Sequence, residues 1–413
     1  MLFTPLTLPN GAIVPNRLAK AAMEETLAEA GQLPGPRIER LYRRWAEGGT
    51  GLIITGNVMV DRRALTGPGT IALEAGTPLE PFKAWAQAAR AQGAQVWMQI
   101  SHPGRQVMAN MGGLAWAPSA VALDLGKHSK MFAQPVAMLD TDIAEVIERF
   151  AATAHAAEQA GFTGVQIHAA HGYLISQFLS PLANRRDDAW GGSLANRARL
   201  LIEVVRAVRA RVAPGFCVGV KLNSADFQRG GFSEDDAKQV LAMLNAEQVD
   251  LVELSGGSYE SPAMQGRTAD GRTLAREAYF LEFARDLAQV AAMPLMTTGG
   301  IARRAIAEQV VQGGVAIVGM GTALAAVPDL PRQWQAGREP LAAMPDVTWR
   351  DKALVSLARM ALVRRRLHAL AQGGGALSNY SPANYSPIFT LLLDQLRSLR
   401  LTRRYRAWST QRG

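Results

Sequence analysis

Short apolar runs alternate along this chain with longer segments in which apolar residues recur at helical spacing. The segments 143–160, 197–212 and 234–245 are examples of the helical pattern. Strands that alternate with helices pair in parallel through right-handed crossovers, so eight such units predict a (β/α)8 TIM barrel. The predicted strands are 18–23, 51–55, 96–100, 165–168, 218–222, 251–254, 295–298 and 316–318.

Three local patterns refine this prediction. Asn10-Gly11 lies between two extended runs, which predicts an N-terminal hairpin that closes the bottom of the barrel. Ser233, with Asp236 three residues later, predicts an N-cap. The segment 101–139 is rich in Gly, Pro, Met and Ala and is predicted to be a long loop on the active-site face.

Beyond Trp334 the pattern changes. We predict a helix over 343–372, a break over 373–387 and a final helix over 388–408. The expected domains are therefore a barrel over 1–340 and a basic helical C-terminal extension over 341–413.

Charge is concentrated in that extension. Residues 343–413 hold 12 Lys and Arg and 3 Asp and Glu, a net of +9, which is the formal charge of the whole chain, so residues 1–342 are neutral. This distribution gives no reason to expect a nucleic-acid partner. The last helix could pack on the barrel or a neighbouring subunit, contact an anionic membrane, or bind an acidic partner or anionic substrate such as a CoA thioester. We expect a homo-oligomer, in which this helix could contact the neighbouring subunit.

The remaining composition excludes several classes of protein. A hydrophobic content of 48% indicates a large folded core, and the single cysteine, Cys217, rules out a disulfide framework or a cysteine-ligated metal cluster within one chain. With six scattered histidines, we expect no metal site. We find no signal peptide and no apolar run of transmembrane length, and we expect a cytoplasmic protein.

Candidate chemical groups fall where the predicted strands end, which is the active-site end of a barrel. The fourth strand is followed closely by His168, His171 and Tyr173. Imidazoles there can donate hydrogen bonds to a carbonyl oxygen, and a phenol can supply a proton. The ends of the other strands carry Ala22, Glu24, Asn57, Gln99, His102, Lys221, Ser255, Gly299, Gly300, Gly319 and Gly321.

Several motifs resemble those of the old yellow enzyme family, FMN-dependent ene reductases, over roughly residues 1–335. The motifs are G-G-T-G-L-I-I-T at 48–55, Q-I-S-H-P-G-R at 99–105, A-G-F-T-G-V-Q-I-H-A-A-H-G-Y at 160–173 and Q-F-L-S-P-L-A-N-R-R-D-D-A-W-G-G-S-L-A-N-R at 177–197. The resemblance implies a bound FMN at the top of the barrel, reduced by NADPH or NADH.

The resemblance also implies roles for single residues. Gln99 would contact the flavin pyrimidine edge, and Lys221, where the family more often has Arg, would stabilise negative charge on the reduced flavin. Ala22, Glu24 and Asn57 belong to the predicted cofactor set. The phosphate would be bound by Gly299, Gly300, Gly321 and Thr322.

Two positions depart from the family pattern. Thr322 replaces the usual Arg, so FMN binding could be weaker unless another basic residue such as Arg303 compensates. Glu24 stands where Thr or Cys is usual, and an ionised carboxylate cannot donate to the flavin. It could tune the site, be protonated, or pair with Lys20 or a substrate group.

The resemblance implies that His168 and His171 bind the carbonyl oxygen of an enone and that Tyr173 protonates the α-carbon after hydride transfer from flavin N5. Tyr259 is a candidate for shaping the substrate pocket. The expected activity is NAD(P)H-dependent, ping-pong reduction of activated alkenes. The alternatives are a 2,4-dienoyl-CoA reductase-like enzyme or an oxidative demethylase on the same barrel, and a flavin-free binding protein that acts through its basic tail.

Overall fold

A closed ring of eight parallel strands is the centre of the fold. The computed structural model describes residues 1–261, 281–373 and 385–410. Within those residues the ring runs β10-β11-β12-β13-β14-β3-β4-β7 and closes by pairing β7 with β10. The strands are β1 Leu6–Thr7, β2 Ile13–Val14, β3 Leu18–Lys20, β4 Leu52–Ile54, β5 Val58–Met59, β6 Ile71–Ala72, β7 Gln95–Ser101, β8 Trp116–Ala117, β9 Val136–Ala137, β10 Gly164–Ala169, β11 Cys217–Asn223, β12 Leu251–Ser255, β13 Leu295–Thr298 and β14 Ile317–Met320.

Helices alternate with the ring strands and cover the outside of the ring. They are α1 Pro36–Glu47, α2 Glu80–Ala89, α3 Asp140–Gln159, α4 Leu174–Leu179, α5 Leu194–Arg211, α6 Glu234–Leu244, α7 Leu281–Ala288, α8 Arg304–Gln312, α9 Thr322–Ala326, α10 Leu330–Gln335, α11 Lys352–Gln372 and α12 Pro387–Thr410. The chain therefore forms the predicted (β/α)8 barrel. All eight predicted strands are confirmed, one with the predicted bounds, 295–298, and seven with shifted ends.

The N-terminal hairpin is also confirmed. β1 and β2 pair antiparallel, and Asn10 Oδ1 accepts a hydrogen bond from the Ala12 amide at 3.1 Å in the turn. Leu8 and Val14 join a buried cluster with Leu52, Cys217 and other residues from the first positions of the ring strands. The hairpin thus closes the end of the barrel opposite to the strand ends that carry the polar residues.

The predicted helix over 343–372 begins nine residues later than expected, at Lys352. Pro345 disfavours helical backbone at the residue before it and supplies no amide of its own, and residues 341–349 have no regular structure. The final helix is confirmed as α12. Most of the predicted break, residues 374–384, lies outside the described residues.

Helices α11 and α12 lie over loops at the active-site end of the barrel. His368 and Arg397 contact backbone carbonyls of the β3–α1 loop, whereas Tyr405 donates to the Arg62 carbonyl at 2.8 Å. Arg366 is buried and donates to the Ala325 carbonyl at 3.2 Å, at the end of α9. None of the helices in the described ranges has a stretch that could span a membrane.

Candidate active site

Three aromatic rings meet where β10 ends. His168 is the next-to-last residue of β10 and is 3% exposed. His171 follows in the left-handed region, with φ +62, and this turn brings its ring to 5.0 Å from that of His168. The Tyr173 ring lies 4.8 Å from the His168 ring, edge to face. The three residues that the sequence singled out therefore form one cluster.

Hydrogen bonds orient the two imidazoles. His168 Nδ1 accepts from the Ala170 amide at 3.2 Å, so a neutral His168 carries its proton on Nε2. His171 Nε2 lies 2.7 Å from Ser255 Oγ, and the His171 amide donates to Asn223 Oδ1 at 3.1 Å. Burial, together with the nearby Lys221 cation, holds the pKa of each imidazole well below 6.5. Both rings are therefore neutral at physiological pH.

Tyr173 and Tyr259 form a pair of phenols. Their hydroxyl oxygens are 3.1 Å apart. Burial, then the neighbouring Tyr259 and the Glu24 charge, raise the pKa of Tyr173 well above its usual 10, and burial and Glu24 raise the pKa of Tyr259 to about 12. Both phenols therefore keep their protons, which is the state that a proton donor requires.

The loop that carries Tyr259 is held by a buried ion pair that the sequence reading did not identify. Arg105 donates to Glu260 Oε2 at 2.7 Å, and their side chains are 6% and 11% exposed. The other Glu260 oxygen accepts from the Asp124 amide at 2.7 Å. Tyr259 is thus tied to the insertion after β7, although no spacing along the chain links these segments.

A chain of buried polar side chains crosses the top of the ring. Gln99 Nε2 donates to Gln166 Oε1 at 2.7 Å, and Gln166 Nε2 donates to Glu253 Oε2 at 2.7 Å. The second Glu253 oxygen accepts from Lys221 Nζ at 2.8 Å and from Thr298 Oγ1 at 2.7 Å. Lys221, predicted as a cation facing the cofactor, is therefore also the partner of a carboxylate.

Sequence reasoning missed Gln166, Thr298 and Glu253, and Glu253 is the charged residue among them. Its signal was a charged residue within the otherwise apolar strand L-V-E-L-S, one strand away from the equally conspicuous Lys221. Strand register brings these residues together, because His168 pairs with Lys221 on the adjacent strand and Lys221 pairs with Glu253 on the next. These three side chains come from neighbouring positions on adjacent strands.

Glu24 has hydroxyl partners. Thr66 donates to Glu24 Oε1 at 2.7 Å and Thr70 donates at 3.3 Å, while Asn57 Nδ2 donates to Thr66 at 3.3 Å. The suggested pairing of Glu24 with Lys20 is wrong. Lys20 Nζ instead lies 3.4 Å from Glu25 Oε1, because residues 21–29 form no helix that would bring positions four apart together.

The glycine-rich turns also lie at this end of the ring. Gly299 and Gly300 follow β13, and Gly300 adopts φ +65, a conformation that favours glycine. Gly321 precedes α9, whose first residue is Thr322. Ala22 lies two residues after the end of β3 and packs against the buried cluster that contains Leu52 and Cys217. The predicted cofactor residues thus all lie near the strand ends, on both sides of the histidine cluster.

Comparison with known proteins gives consistent matches. The profile of the NADH:flavin oxidoreductase / NADH oxidase family matches residues 1–340. The chain is 39% identical over 353 residues to the NADH-dependent flavin oxidoreductase iliE of Neonectria sp. (strain DH2), which covers 79% of the chain and 46% of that protein.

Two solved structures share the fold. A complex of 2-naphthoyl-CoA reductase has a TM-score of 0.76 and 28% identity, covering 82% of this chain and 52% of that one. The old yellow enzyme homologue from Zymomonas mobilis has a TM-score of 0.72 and 25% identity, covering 86% and 98%. The chain spans about half the length of the Neonectria protein and of the 2-naphthoyl-CoA reductase.

Proposed function

The chain belongs to the NADH:flavin oxidoreductase / NADH oxidase family, which includes the old yellow enzymes, and on this premise we propose that it reduces the C=C bond of α,β-unsaturated carbonyl compounds. Its cofactor is FMN and its reductant NADH or NADPH. The observation that carries the proposal is the cluster of His168, His171 and Tyr173, two neutral imidazoles beside a protonated phenol.

The residues at the strand ends fit FMN. The first amides of a helix have no intrahelical partner, so those of Thr322 and Ala323 at the start of α9 suit a phosphate, beside the turn at Gly299–Gly300. Gln99 and Lys221 would donate to the ring system. When bound, FMN accepts a hydride from the nicotinamide and supplies a hydride to the β-carbon of the alkene.

His168 and a nitrogen of His171 would donate to the substrate carbonyl oxygen. Such donors stabilise the negative charge that develops on this oxygen as the hydride arrives. His171 Nε2 already contacts Ser255 Oγ at 2.7 Å, so an imidazole that accepts the serine proton presents Nδ1–H. Because both rings are neutral, each can offer one N–H and the substrate meets no full positive charge.

Tyr173 would give its proton to the α-carbon and complete the saturated product. The Tyr259 hydroxyl, 3.1 Å away, would return a proton to Tyr173 from solvent. Overall, one hydride from the nicotinamide and one proton from water are added across the C=C bond. The scheme uses both phenols in the protonated state in which burial and Glu24 hold them.

The decisive experiment measures the two half-reactions separately in anaerobic stopped flow, with NADH and then 2-cyclohexenone. We expect Tyr173→Phe to slow flavin reoxidation by the enone by about 10²-fold or more and to leave flavin reduction by NADH nearly unchanged. Tyr405→Phe, which removes a phenol bonded to the Arg62 carbonyl, is the matched control. Equal slowing of both half-reactions would remove Tyr173 from the proton-donor role.

A second variant tests the carbonyl site. The double substitution His168→Ala and His171→Ala should weaken enone binding while the protein keeps its flavin colour. Unchanged enone affinity would reject the assignment. A wild-type protein that NADH reduces, but that only oxygen and not an enone reoxidises, would favour an NADH oxidase reaction on the same barrel. Oxidative demethylation would be favoured if a methylated amine, and not NADH, reduced the flavin.

A further inference from the structure

The two helices of the C-terminal extension enclose a cavity that the proposed reaction does not use. It has a volume of about 300 Å³ and lies between α11 and α12. Its polar lining consists of Arg365, His368, Gln372, Thr390, Asp394 and Arg397. This lining contains two arginines and one carboxylate.

The carboxylate does not neutralise the two arginines of the cavity. Asp394 pairs with a third arginine, Arg364, through contacts of 3.0 and 2.5 Å. Arg365 donates to Thr390 Oγ1 at 2.7 Å and lies 4.6 Å from the centre of the Tyr385 ring. Its partners are therefore neutral groups.

Arg397 is in the same situation. It donates to the Thr26 carbonyl at 3.1 Å and contacts His368 Nδ1. Burial and the neighbouring Arg37 lower the pKa of Arg397 to about 10, because together they outweigh the opposite effect of the Asp394 and Glu29 charges. Within the described residues, neither Arg365 nor Arg397 has a carboxylate within ion-pair distance. The sequence between α11 and α12, residues 373–386, contains no Asp or Glu.

Two half-buried cations that have no carboxylate within ion-pair distance among the described residues are costly, because burial removes water that a neutral partner only partly replaces. An anion in the cavity would offset this cost. Guanidinium groups donate in a fork that matches the oxygens of a phosphate, and the Thr390 hydroxyl adds a further polar group. A phosphate with a charge near −2 would balance the two arginines.

We propose that the cavity between α11 and α12 is a binding site for a phosphate group, held by Arg365 and Arg397. The phosphate can be inorganic or the monoester of a small organic molecule, since the volume exceeds that of the anion alone. The site is coupled to the barrel. Arg397 and His368 also contact the carbonyls of Thr26 and Glu25, next to Glu24.

The test uses the flavin-loaded protein, so that FMN already fills its own phosphate site. Inorganic phosphate and glycerol 3-phosphate are titrated by calorimetry at constant ionic strength, with chloride as the balancing anion. We expect saturable binding that Arg365→Gln and Arg397→Gln each weaken by about ten-fold or more. Arg400→Gln removes an exposed arginine from the same helix and is expected to bind as the wild type does.

The outcomes separate the possibilities. Tighter binding of glycerol 3-phosphate identifies an organic phosphate as the ligand, and tighter binding of inorganic phosphate identifies the free anion. The proposal is overturned if the wild type shows no saturable binding, or if Arg365→Gln and Arg400→Gln bind equally well. Arg397 also donates to the Thr26 carbonyl of the β3–α1 loop, so its replacement could prevent folding. In that case the comparison of Arg365→Gln with Arg400→Gln decides the test. None of these results depends on alkene reduction.

Discussion

At the scale of single residues, the contacts of the candidate site differ in how far apart their members lie along the chain. His168, His171 and Tyr173 lie within six positions of one another, so one turn brings them together. Glu253 is 32 positions from Lys221 and becomes its partner only through strand register. Residues that meet across a barrel cannot be paired from spacing along the chain.

The buried pair of Lys221 and Glu253 yields a stability prediction. Their side chains are 4% and 0% exposed, so Glu253→Gln leaves a buried cation without a counter-ion. The free energy of unfolding should fall by about 3–5 kcal/mol, as measured by urea denaturation. Lys221→Met combined with Glu253→Leu should recover much of the loss.

The matched control is an exposed pair. Glu80 and Lys83 have side chains that are 78% and 53% exposed, so Glu80→Gln should leave the stability nearly unchanged. If Glu253→Gln lowered the free energy of unfolding no more than Glu80→Gln does, a group other than Glu253 would have to stabilise the buried Lys221 charge.

At the scale of elements, the sequence predicted those strands and turns that depend on interactions between residues close along the chain. The eight strands and the hairpin follow from apolar runs and turn residues, because those signals act over a few positions. The predicted start of α11 was wrong because Pro345 disfavours helical backbone at the residue before it and supplies no amide of its own. The contact of α11 and α12 with the β3–α1 loop is a tertiary feature that their amphipathic pattern does not specify.

The N-cap of α6 is a local feature that was predicted correctly, and it can be tested. Ser233 Oγ accepts from the Asp236 amide at 3.1 Å, and Asp236 Oδ2 accepts from the Ser233 amide at 3.0 Å. Ser233→Ala should lower the free energy of unfolding by about 1 kcal/mol in thermal or urea denaturation. Gln239→Ala, an exposed change in the same helix, should cost less, and equal losses would contradict the cap assignment.

At the scale of the whole molecule, buried neutral histidines make the fold sensitive to acid. Burial lowers the pKa of His102 to about 4, and burial with the Arg397 charge lowers that of His368 to about 3. The pKa values of His168 and His171 are also well below 6.5. All four take up protons on unfolding at a pH where the folded protein does not.

The sign follows from this difference in proton uptake. Above pH 6.5 the neutral histidines make their full contribution to the free energy of unfolding. This contribution is lost as the pH falls toward 4, and toward 3 for His368. Each such proton lowers the free energy of unfolding by about 1.4 kcal/mol per pH unit between its folded-state and unfolded-state pKa values. Unfolding free energies measured from pH 8 to pH 4 should show this fall, and His102→Gln should reduce its slope by about one proton. His128→Gln, in the insertion after β7, is the control, and an equal reduction there would contradict the prediction.

The single cysteine has a practical consequence. Cys217 lies at the first position of β11, beneath the N-terminal hairpin, where Asn10 Nδ2 contacts its sulfur at 3.3 Å. Burial raises the pKa of this thiol to about 11, so the intact barrel presents neither access nor a thiolate to an alkylating reagent. The rate at which Cys217 is alkylated therefore measures how often the hairpin end of the barrel opens, and this opening can be followed without introducing a probe into the chain.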